Sequence, residues 1–442
     1  MLITNVNIFT NDDELELIIK NGAILIIGDE IIDVGKEDIL KKSYPSEEIY
    51  DGQGMLVVPG FVNAFLEVNL ACINAPIFFD KNSSIFEYNK SMKRILESLT
   101  DEETLYTVSQ YLSYESIKNG VTTVLGTFLA KPSIEDPIEI FRSGIQTSGI
   151  RAFVGRELCE VKPKNLERSL GNILEKSKKY VNDNYFKVSF PVSFVDSFSN
   201  DVFKLLDNIK YEELYKKIIL DDPMWERKVI LEKFGMDLFE LLKLHKIIDD
   251  KSSIIYSGLI EDAEIDLIAS LDLNVISTPR TQFIYGLDPR NIVELLGRGI
   301  KVGGGTGQLG FDLIAEAKDT YIFQRHIRKT DNVAAIYELI KIFFRNNYEI
   351  ASEIFNINVG KIKPAYKADL VFLNPNVSLE FDEEWIHRAI IFEILQRHNV
   401  ETVFIGGKIV MENGKIRNVD VAEMYKSIKK VSERYIRNLL HN

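Results

Sequence analysis

The first group in the sequence that could do chemistry is a carboxylate, Glu67, at the end of the largely apolar stretch 56–66. At the end of a strand, a carboxylate can act as a general base or as an oxygen ligand for a hard cation. It can also pair with a nearby lysine or arginine, or remain solvated. We favour a paired or solvated carboxylate, because a single carboxylate does not make a site.

The acidic pair Asp221-Asp222, which is followed by Pro223, is a second feature of this kind. Two adjacent carboxylates could bind a cation. An aspartate before a helix more often caps it, because the side chain accepts hydrogen bonds from free backbone N–H groups. We therefore expect capping at this position.

Residues that usually bind zinc are scarce. The chain has five histidines, and the first of them is His245. The two cysteines, Cys72 and Cys159, give neither a disulfide framework nor a Cys-x-x-Cys zinc motif. A nucleophilic cysteine needs a nearby base, and none is evident, so we expect buried and inert thiols.

The composition is that of an ordinary globular protein. The chain has 442 residues, of which 45% are hydrophobic and 27% charged, and its net charge is −13. An acidic surface disfavours nucleic acids and anionic membranes as partners. There is no signal-peptide pattern and no apolar run of about 20 residues that could span a bilayer. These features predict a cytoplasmic protein.

The elements that position these groups change in character near residue 56. Before it, short β-rich runs predict a small antiparallel sheet, with a hairpin turn at Asn21-Gly22. After it, strand-like runs alternate with helical segments, which predicts a parallel (β/α)8 barrel. The predicted strands are residues 122–128, 151–157, 186–193, 216–220, 253–255, 274–277 and 301–303. Short strands return at 369–373, 403–405 and 408–411, and the chain is predicted to close with a docked helix from residue 420.

Four sequence blocks carry a family pattern. They are Asp51-Gly52-Gln53-Gly54, Val58-Pro59-Gly60-Phe61-Val62-Asn63-Ala64, Asn119-Gly120-Val121-Thr122-Thr123-Val124, and Gly360-Lys361-Ile362-Lys363-Pro364 with Lys367-Ala368-Asp369-Leu370-Val371. In this order they resemble the amidohydrolase superfamily. Within it they resemble the metal-dependent aminohydrolases and deaminases, in particular the aminohydrolases linked to selenium metabolism.

The resemblance implies an α/β fold with two domains. Residues 58–357 would form a TIM-like barrel, and residues 1–57 with 358–442 would form a small composite β-sandwich with a C-terminal helix. In this family the site lies at the carboxyl ends of the barrel strands. There, a divalent metal held by histidines and an aspartate activates water.

The matching positions in the first five strands carry few of the family's ligands. Phe65 and Glu67 stand where the resemblance places the His-x-His pair. Ser193 replaces a substrate-binding histidine, and Ile219 replaces a metal histidine. Asp222 stands where a proton-shuttling glutamate is expected.

The later positions continue this pattern. Tyr256 and Ser277 replace histidines, and Gly307 stands in place of the metal aspartate. The Tyr256 hydroxyl could donate to a ligand, or its ring could fill the vacated volume while the hydroxyl bonds to the backbone. The glycine run 303–307 lacks the spacing of a phosphate loop and is interpreted as scaffold. The sequence thus predicts a lost metal site, no cofactor and no assigned catalytic residue, with the eight matching positions lining a ligand pocket.

Three hypotheses follow from these observations. The first is a pseudoenzyme that binds a ligand or partner without metal-dependent hydrolysis. The alternative is an unusual hydrolase of non-peptide C–N bonds in a heterocyclic amine or cyclic amide. In that case Glu67 or Asp222 would be the base, and Tyr256, Ser193 and Ser277 would orient the substrate. The third is a structural subunit of a larger enzyme assembly. A small heterocyclic ligand and a homodimer are the expected partners.

Overall fold

The computed structural model describes residues 1–73, 85–159, 162–209, 211, 213–256, 258, 260–287, 292–330, 336–374, 388–394 and 397–441. Its strands are β1 Leu2–Phe9, β2 Ile18–Ile27, β3 Glu30–Lys36, β4 Ile49–Asp51, β5 Leu56–Pro59, β6 Phe61–Glu67, β7 Val121–Phe128, β8 Arg151–Arg156, β9 Phe186–Val188, β10 Phe190–Ser193, β11 Lys216–Leu220, β12 Ser252–Tyr256, β13 Asn274–Ser277, β14 Val302–Gly304, β15 Leu370–Leu373, β16 Val400–Ile405, β17 Lys408–Glu412 and β18 Lys415–Ile416.

The α-helices are α1 Glu37–Ser43, α2 Val68–Ala71, α3 Ile85–Leu99, α4 Glu102–Lys118, α5 Pro137–Gln146, α6 Pro163–Lys179, α7 Asn200–Asn208, α8 Pro223–Phe234, α9 Leu238–Leu244, α10 Asp262–Ser270, α11 Pro279–Ile284, α12 Ile292–Gly297, α13 Leu313–Arg328, α14 Ile336–Ile340, α15 Asn347–Phe355 and α16 Val421–His441. Short π-helical segments span Lys341–Asn346 and Ile390–Ile394. Within the described part of the chain, no helix is both long enough and apolar enough to cross a membrane.

Both terminal regions contribute to a single nine-stranded sheet. Its order is β18-β17-β16-β15-β5-β1-β2-β3, with β4 beside β1. The two regions meet where β5 pairs antiparallel with β15, so that Val57 faces Phe372. Alternate side chains from these strands form a separate apolar core that includes Ile3, Ile24 and Phe404. The folding of this sheet into a two-layered sandwich stays a prediction.

The predicted hairpin at Asn21-Gly22 is wrong. Residues 18–27 form one continuous strand, β2, and its pairing with β1 shifts register where Val6 meets Gly22. Asn21 has a positive φ of 50°, and a Cβ on Gly22 would lie 2.5 Å from Ile8 Cδ1. The Asn-Gly pair therefore supplies the φ freedom and close approach of a bulge inside a strand rather than a turn.

The predicted barrel is confirmed. Strands β6-β7-β8-β9 and β10-β11-β12-β13-β14 form two parallel sheets, and β9 and β10 are separated only by Ser189, which gives eight strand positions. The barrel closes where Leu66 pairs in parallel with Gly307. At this seam Asn63 donates to Thr306 Oγ1 (2.8 Å) and accepts from Thr306 N (3.2 Å). The site must therefore form at the carboxyl ends of strands fixed in a closed ring.

The closing helix α16 is docked on the barrel, as predicted. It packs against α3 and α4. Its residues Met424, Ile428 and Tyr435 are buried, which is the one-sided burial of an amphipathic helix. Inside the barrel wall, the Tyr435 hydroxyl bonds to Thr100 and Asn69. These contacts fix α3, the helix that reaches the barrel mouth.

Candidate active site

Three barrel strands end in carboxylates that point at the same lysine. Glu67 is the last residue of β6, while Glu157 and Asp221 directly follow β8 and β11. Lys93, on α3, places its Nζ 3.2 Å from Glu67 Oε2, 2.9 Å from Glu157 Oε1 and 3.2 Å from Asp221 Oδ2. All four side chains are buried, and that of Lys93 is 0% exposed. We call these four residues the Lys93 cluster.

The helix that carries Lys93 buries an unusually charged face. Phe86, Lys90, Lys93 and Leu96 recur at helical spacing and are all buried. The Lys90 Nζ lies 3.2 Å from Asp196. A lysine in the buried stripe of a helix must find an anion, because burial of an unpaired charge is strongly unfavourable. Here the strand-end carboxylates provide that charge.

Polar and aromatic neighbours complete the surroundings of the cluster. Gln308 Nε2 lies 3.3 Å from Glu67 Oε2 and accepts through its own oxygen from the Tyr285 hydroxyl. Thr127 donates to Glu157 Oε2 at 3.3 Å. The ring of Phe194 has its centroid 5.4 Å from Lys93 Nζ, within the range of a cation–π contact.

Phe194 reaches this position through an unusual backbone conformation. It follows β10 with φ 54° and ψ 43°, in the left-handed region that a bulky residue rarely adopts. Its ring also packs edge-on against Phe86, with centroids 5.6 Å apart. Strained backbone of this kind is concentrated at functional sites, where the surroundings enforce it.

The charges in the Lys93 cluster do not balance. Burial raises the pKa of Glu67 to about 8, and the carboxylates of Asp221 and Glu157 act in the same direction, while Lys93 opposes them. Burial also raises the pKa of Asp221, again against the effect of Lys93. Burial alone would lower the pKa of Lys93, but the three carboxylates outweigh it and raise that pKa well above its ordinary value. The cluster therefore holds an ammonium, and Glu67 keeps a proton near neutral pH.

A further buried carboxyl lies beside the cluster. Glu226, on α8, is fully buried, and its Oε2 has no hydrogen-bond partner among the residues that the structure describes. Burial, followed by the nearby charges of Asp221 and Asp196, raises its pKa well above the usual range. Burial and neighbouring carboxylates therefore favour the protonated form of Glu226.

The structure decides between the interpretations left open for two predicted site residues. Asp222 caps α8, as expected, because its Oδ1 accepts from Trp225 N at 3.2 Å, and its neighbour Asp221 contacts Lys93. The Tyr256 hydroxyl donates to Glu264 Oε2 at 3.0 Å, a carboxylate rather than a backbone group.

The other predicted positions form the barrel wall around Glu67. Phe65 and Ile219 belong to the apolar core, and the backbone of Gly307 bonds to Phe65 O (3.0 Å) and to Glu67 N (2.9 Å). The hydroxyls of Ser193 and Ser277 are buried and have no hydrogen-bond partner among the described residues. Of the eight predicted positions, Glu67 alone belongs to the Lys93 cluster, and the two serines offer polar groups that a bound molecule could use.

Sequence analysis missed two members of the cluster, Glu157 and Lys93, and named Asp221 only as part of an acidic pair. Glu157 and Asp221 follow apolar strands in the same way as Glu67, so a search for strand-end carboxylates would have found all three. Lys93 carries a weaker signal, a cation in the apolar stripe of an amphipathic helix.

The described residues do not fit a catalytic zinc ion. Such a site needs about three protein ligands, usually including histidine. The side-chain ammonium of Lys93 lies between the three carboxylates of the cluster. Across the described part of the chain, no group of three or more histidine, cysteine, aspartate or glutamate side chains is arranged to hold a metal.

Comparison with known families matches residues 56–410 to the amidohydrolase family. The chain belongs to this family. Its relatives include a protein of Methanocaldococcus jannaschii named 5'-deoxyadenosine deaminase, which is 24% identical over 97% of this chain and 98% of its own length. A Halothermothrix orenii protein named 5-methylthioadenosine/S-adenosylhomocysteine deaminase is 22% identical over 98% of this chain and 99% of its own.

Solved structures of the same fold cover nearly the whole chain. An adenosine deaminase from Xanthomonas campestris with bound zinc superposes with a TM-score of 0.82 at 13% identity, covering 99% of this chain and 98% of its own. The atrazine chlorohydrolase TrzN from Arthrobacter aurescens TC1, complexed with zinc, gives 0.78 at 17% identity, with 98% and 99% covered. At these identities the likeness establishes the fold alone.

The expectation of a pseudoenzyme is wrong. Relatives that match this chain over nearly its full length are named as deaminases, which hydrolyse C–N bonds. An active hydrolase, the alternative drawn from the sequence, fits these relatives better.

Proposed function

We propose that the protein is a hydrolytic deaminase of a heterocyclic amine, of the adenosine-derivative class on which its relatives are named to act. The observation that carries this proposal is the Lys93 cluster. Three strand-end carboxylates and one ammonium lie together at the end of the barrel where this fold builds its sites. Glu67 in particular has a pKa of about 8, which suits a group that exchanges protons near neutral pH.

In the proposed reaction, a water oxygen forms a bond to the ring carbon that carries the amino group. A second carboxylate of the cluster, Asp221 or Glu157, takes one proton from that water. Protonated Glu67 donates its proton to the adjacent ring nitrogen, which makes the carbon more electrophilic. Lys93 holds Asp221 and Glu157 in place, because it donates to both of them.

The second half of the reaction returns every proton. The carboxylic acid formed in the first step protonates the amino group, the C–N bond breaks, and ammonia leaves. The new hydroxyl gives its proton back to Glu67 as the ring carbonyl forms. Water and the amine are thus converted to a carbonyl and ammonia, and the protein ends in its starting protonation state.

Substrate would be oriented by polar groups that the fold leaves unused. The hydroxyls of Ser193 and Ser277 lie at the ends of β10 and β13 and have no partner among the described residues. Buried hydroxyls of this kind gain a hydrogen bond when a polar ligand binds. Glu226 adds a buried carboxyl with a raised pKa, which in its protonated form can both donate and accept.

The test is a panel of adenosine derivatives given to the purified full-length chain. It contains 5'-deoxyadenosine, 5'-methylthioadenosine and S-adenosylhomocysteine, with guanine and cytosine as other heterocyclic amines. We expect ammonia release from at least one compound, and in ¹⁸O-labelled water we expect the label in the new carbonyl. Activity should persist after dialysis against a chelator. If no panel member releases ammonia above the uncatalysed rate, the proposed function is wrong.

A further inference from the structure

We propose that the side-chain ammonium of Lys93 does the structural work of a metal ion in this barrel, as the tethered cation that holds the strand-end carboxylates together. This inference goes beyond the proposed reaction. It rests on the geometry of the Lys93 cluster and does not depend on the substrate class suggested above.

The first argument is the way in which the ammonium uses its protons. A lysine ammonium has three N–H donors. Lys93 hydrogen-bonds to Glu157 and Asp221, its Nζ lies 3.2 Å from Glu67 Oε2, and the Phe194 ring lies over it. Each carboxylate comes from a different barrel strand, so the one cation links β6, β8 and β11. A second cation in the same space would be repelled by the first.

The second argument is that the positions where the family resemblance places metal ligands cannot supply them. The side chains of Phe65 and Ile219 are apolar and lie in the core. Gly307 has φ +55°, and a Cβ there would lie 2.6 Å from Thr281 Oγ1. An aspartate at this position would therefore clash as well as strain the backbone.

A lysine tether has a consequence that a bound ion does not have. Its cation is part of the chain, so no chelator can remove it and no metal supply is needed. The wild-type protein, as purified and after incubation with zinc chloride and desalting, should therefore hold well under one zinc per chain by elemental analysis. Its melting temperature should not change with EDTA.

The decisive variant is Lys93→Ala, which leaves three buried carboxylates without their cation. We expect its melting temperature to fall by about 4 °C, because breaking a buried ion pair is strongly destabilising. Millimolar Mn²⁺ or methylammonium should restore part of this loss, since each can enter the space left by the side chain. Lys93→Met, which keeps the apolar stem, serves if the alanine variant does not fold.

The matched control is Lys216→Ala. Lys216 is also a fully buried lysine, but it pairs with Asp249 and lies outside the cluster. Its loss should lower the melting temperature without rescue by Mn²⁺ or methylammonium. Equal rescue of both variants, or of neither, would overturn the inference. So would a zinc ion that co-purifies with the wild type and whose removal by EDTA lowers the melting temperature.

The two proposals fail in different ways. Ammonia release together with a tightly bound zinc would leave the proposed function intact and refute the role of Lys93. Cation rescue of Lys93→Ala without activity on any compound of the panel would support the role of Lys93 and refute the proposed function.

Discussion

The two ends of strand β8 carry two buried ion clusters of opposite character. At its start, Arg151 forms a bidentate pair with Asp369, with Nε and one terminal nitrogen 2.9 and 3.0 Å from the two carboxylate oxygens. Just beyond its end, Glu157 joins the Lys93 cluster. Both are shielded from solvent, and they differ in the balance of their charges.

The pair at the start of β8 is fully satisfied. One cation meets one anion, Arg151 also donates to Asn184 O (2.9 Å), and Asp369 accepts from Gly406 N (2.7 Å). In the Lys93 cluster, by contrast, three carboxylates share one ammonium. A balanced cluster can fix one structure, whereas an unbalanced one keeps a proton that it can give away. We infer that the first serves the fold and the second serves catalysis, and four predictions test this division.

The largest expected effect is the loss of turnover in the Glu67→Gln variant. Because the amide cannot donate or accept the proton, we expect the turnover of the best panel substrate to fall by about 10²- to 10⁴-fold. The melting temperature should stay the same or rise, since one buried acid is removed. Steady-state kinetics and thermal unfolding measure the two effects.

The matched control for this variant is Glu316→Gln. Glu316 is also fully buried, and burial raises its pKa to about 8, but it accepts from Arg280 N and lies outside the cluster. This variant should keep wild-type turnover. If both variants lost activity equally, buried acids in general would matter and the role of Glu67 would be refuted.

The next effect is on stability, from Arg151→Met. It leaves Asp369 buried without a counter-charge, so the free energy of unfolding should fall by about 3–5 kcal/mol in urea denaturation. Turnover per folded molecule should stay near the wild-type value. The double variant Arg151→Met/Asp369→Leu should recover much of the loss, because no unpaired charge remains. A large loss of turnover in folded Arg151→Met would refute the claim that the Arg151–Asp369 pair serves the fold and not catalysis.

A third effect follows from the raised pKa of Glu67, about 8 in the folded protein against an ordinary value of 4.5. Between these values the unfolded chain binds fewer protons than the folded one, so stability falls as pH rises from about 4.5 to about 8. Glu316 contributes in the same direction. Melting temperatures across this range should decline less steeply in Glu67→Gln than in wild type. An unchanged slope would contradict the raised pKa.

The smallest effect separates the two adjacent aspartates. Asp222→Ala removes the cap of α8 and should lower the free energy of unfolding by about 1 kcal/mol without changing turnover. Asp221→Asn should instead reduce turnover, because Asp221 contacts Lys93 directly. A catalytic defect in Asp222→Ala would instead support the hypothesis that Asp222 is the base.

Much of the fold could be predicted because short strand-like runs with Ile, Leu and Val alternate with helical segments along the barrel. The predicted strand 216–220 coincides with β11, and 274–277 coincides with β13. The failure at Asn21-Gly22 has a local cause, since the same dipeptide suits a turn and a bulge equally. Pairing with β1 decides between them, and that contact is not encoded in the dipeptide.

The site was predictable only in part because its contacts are distant in sequence. Glu67 could be selected by its place at a strand end. Lys93 meets Glu157 across 64 residues and Asp221 across 128 residues, which no short motif encodes. The cap at Asp222 could be predicted from the Asp-Pro helix start, but the contact of Asp221 with Lys93 could not, because Lys93 lies on a distant helix.

The closed seam at Gly307 limits how this barrel could be re-engineered. A positive φ and the close approach to Thr281 disfavour a side chain at this position, and the N–H and C=O of Gly307 are already bonded to Phe65 and Glu67. Installing a working zinc centre would therefore require new side chains on several strands, a reshaped loop and removal of the resident lysine. No single substitution supplies all of these changes.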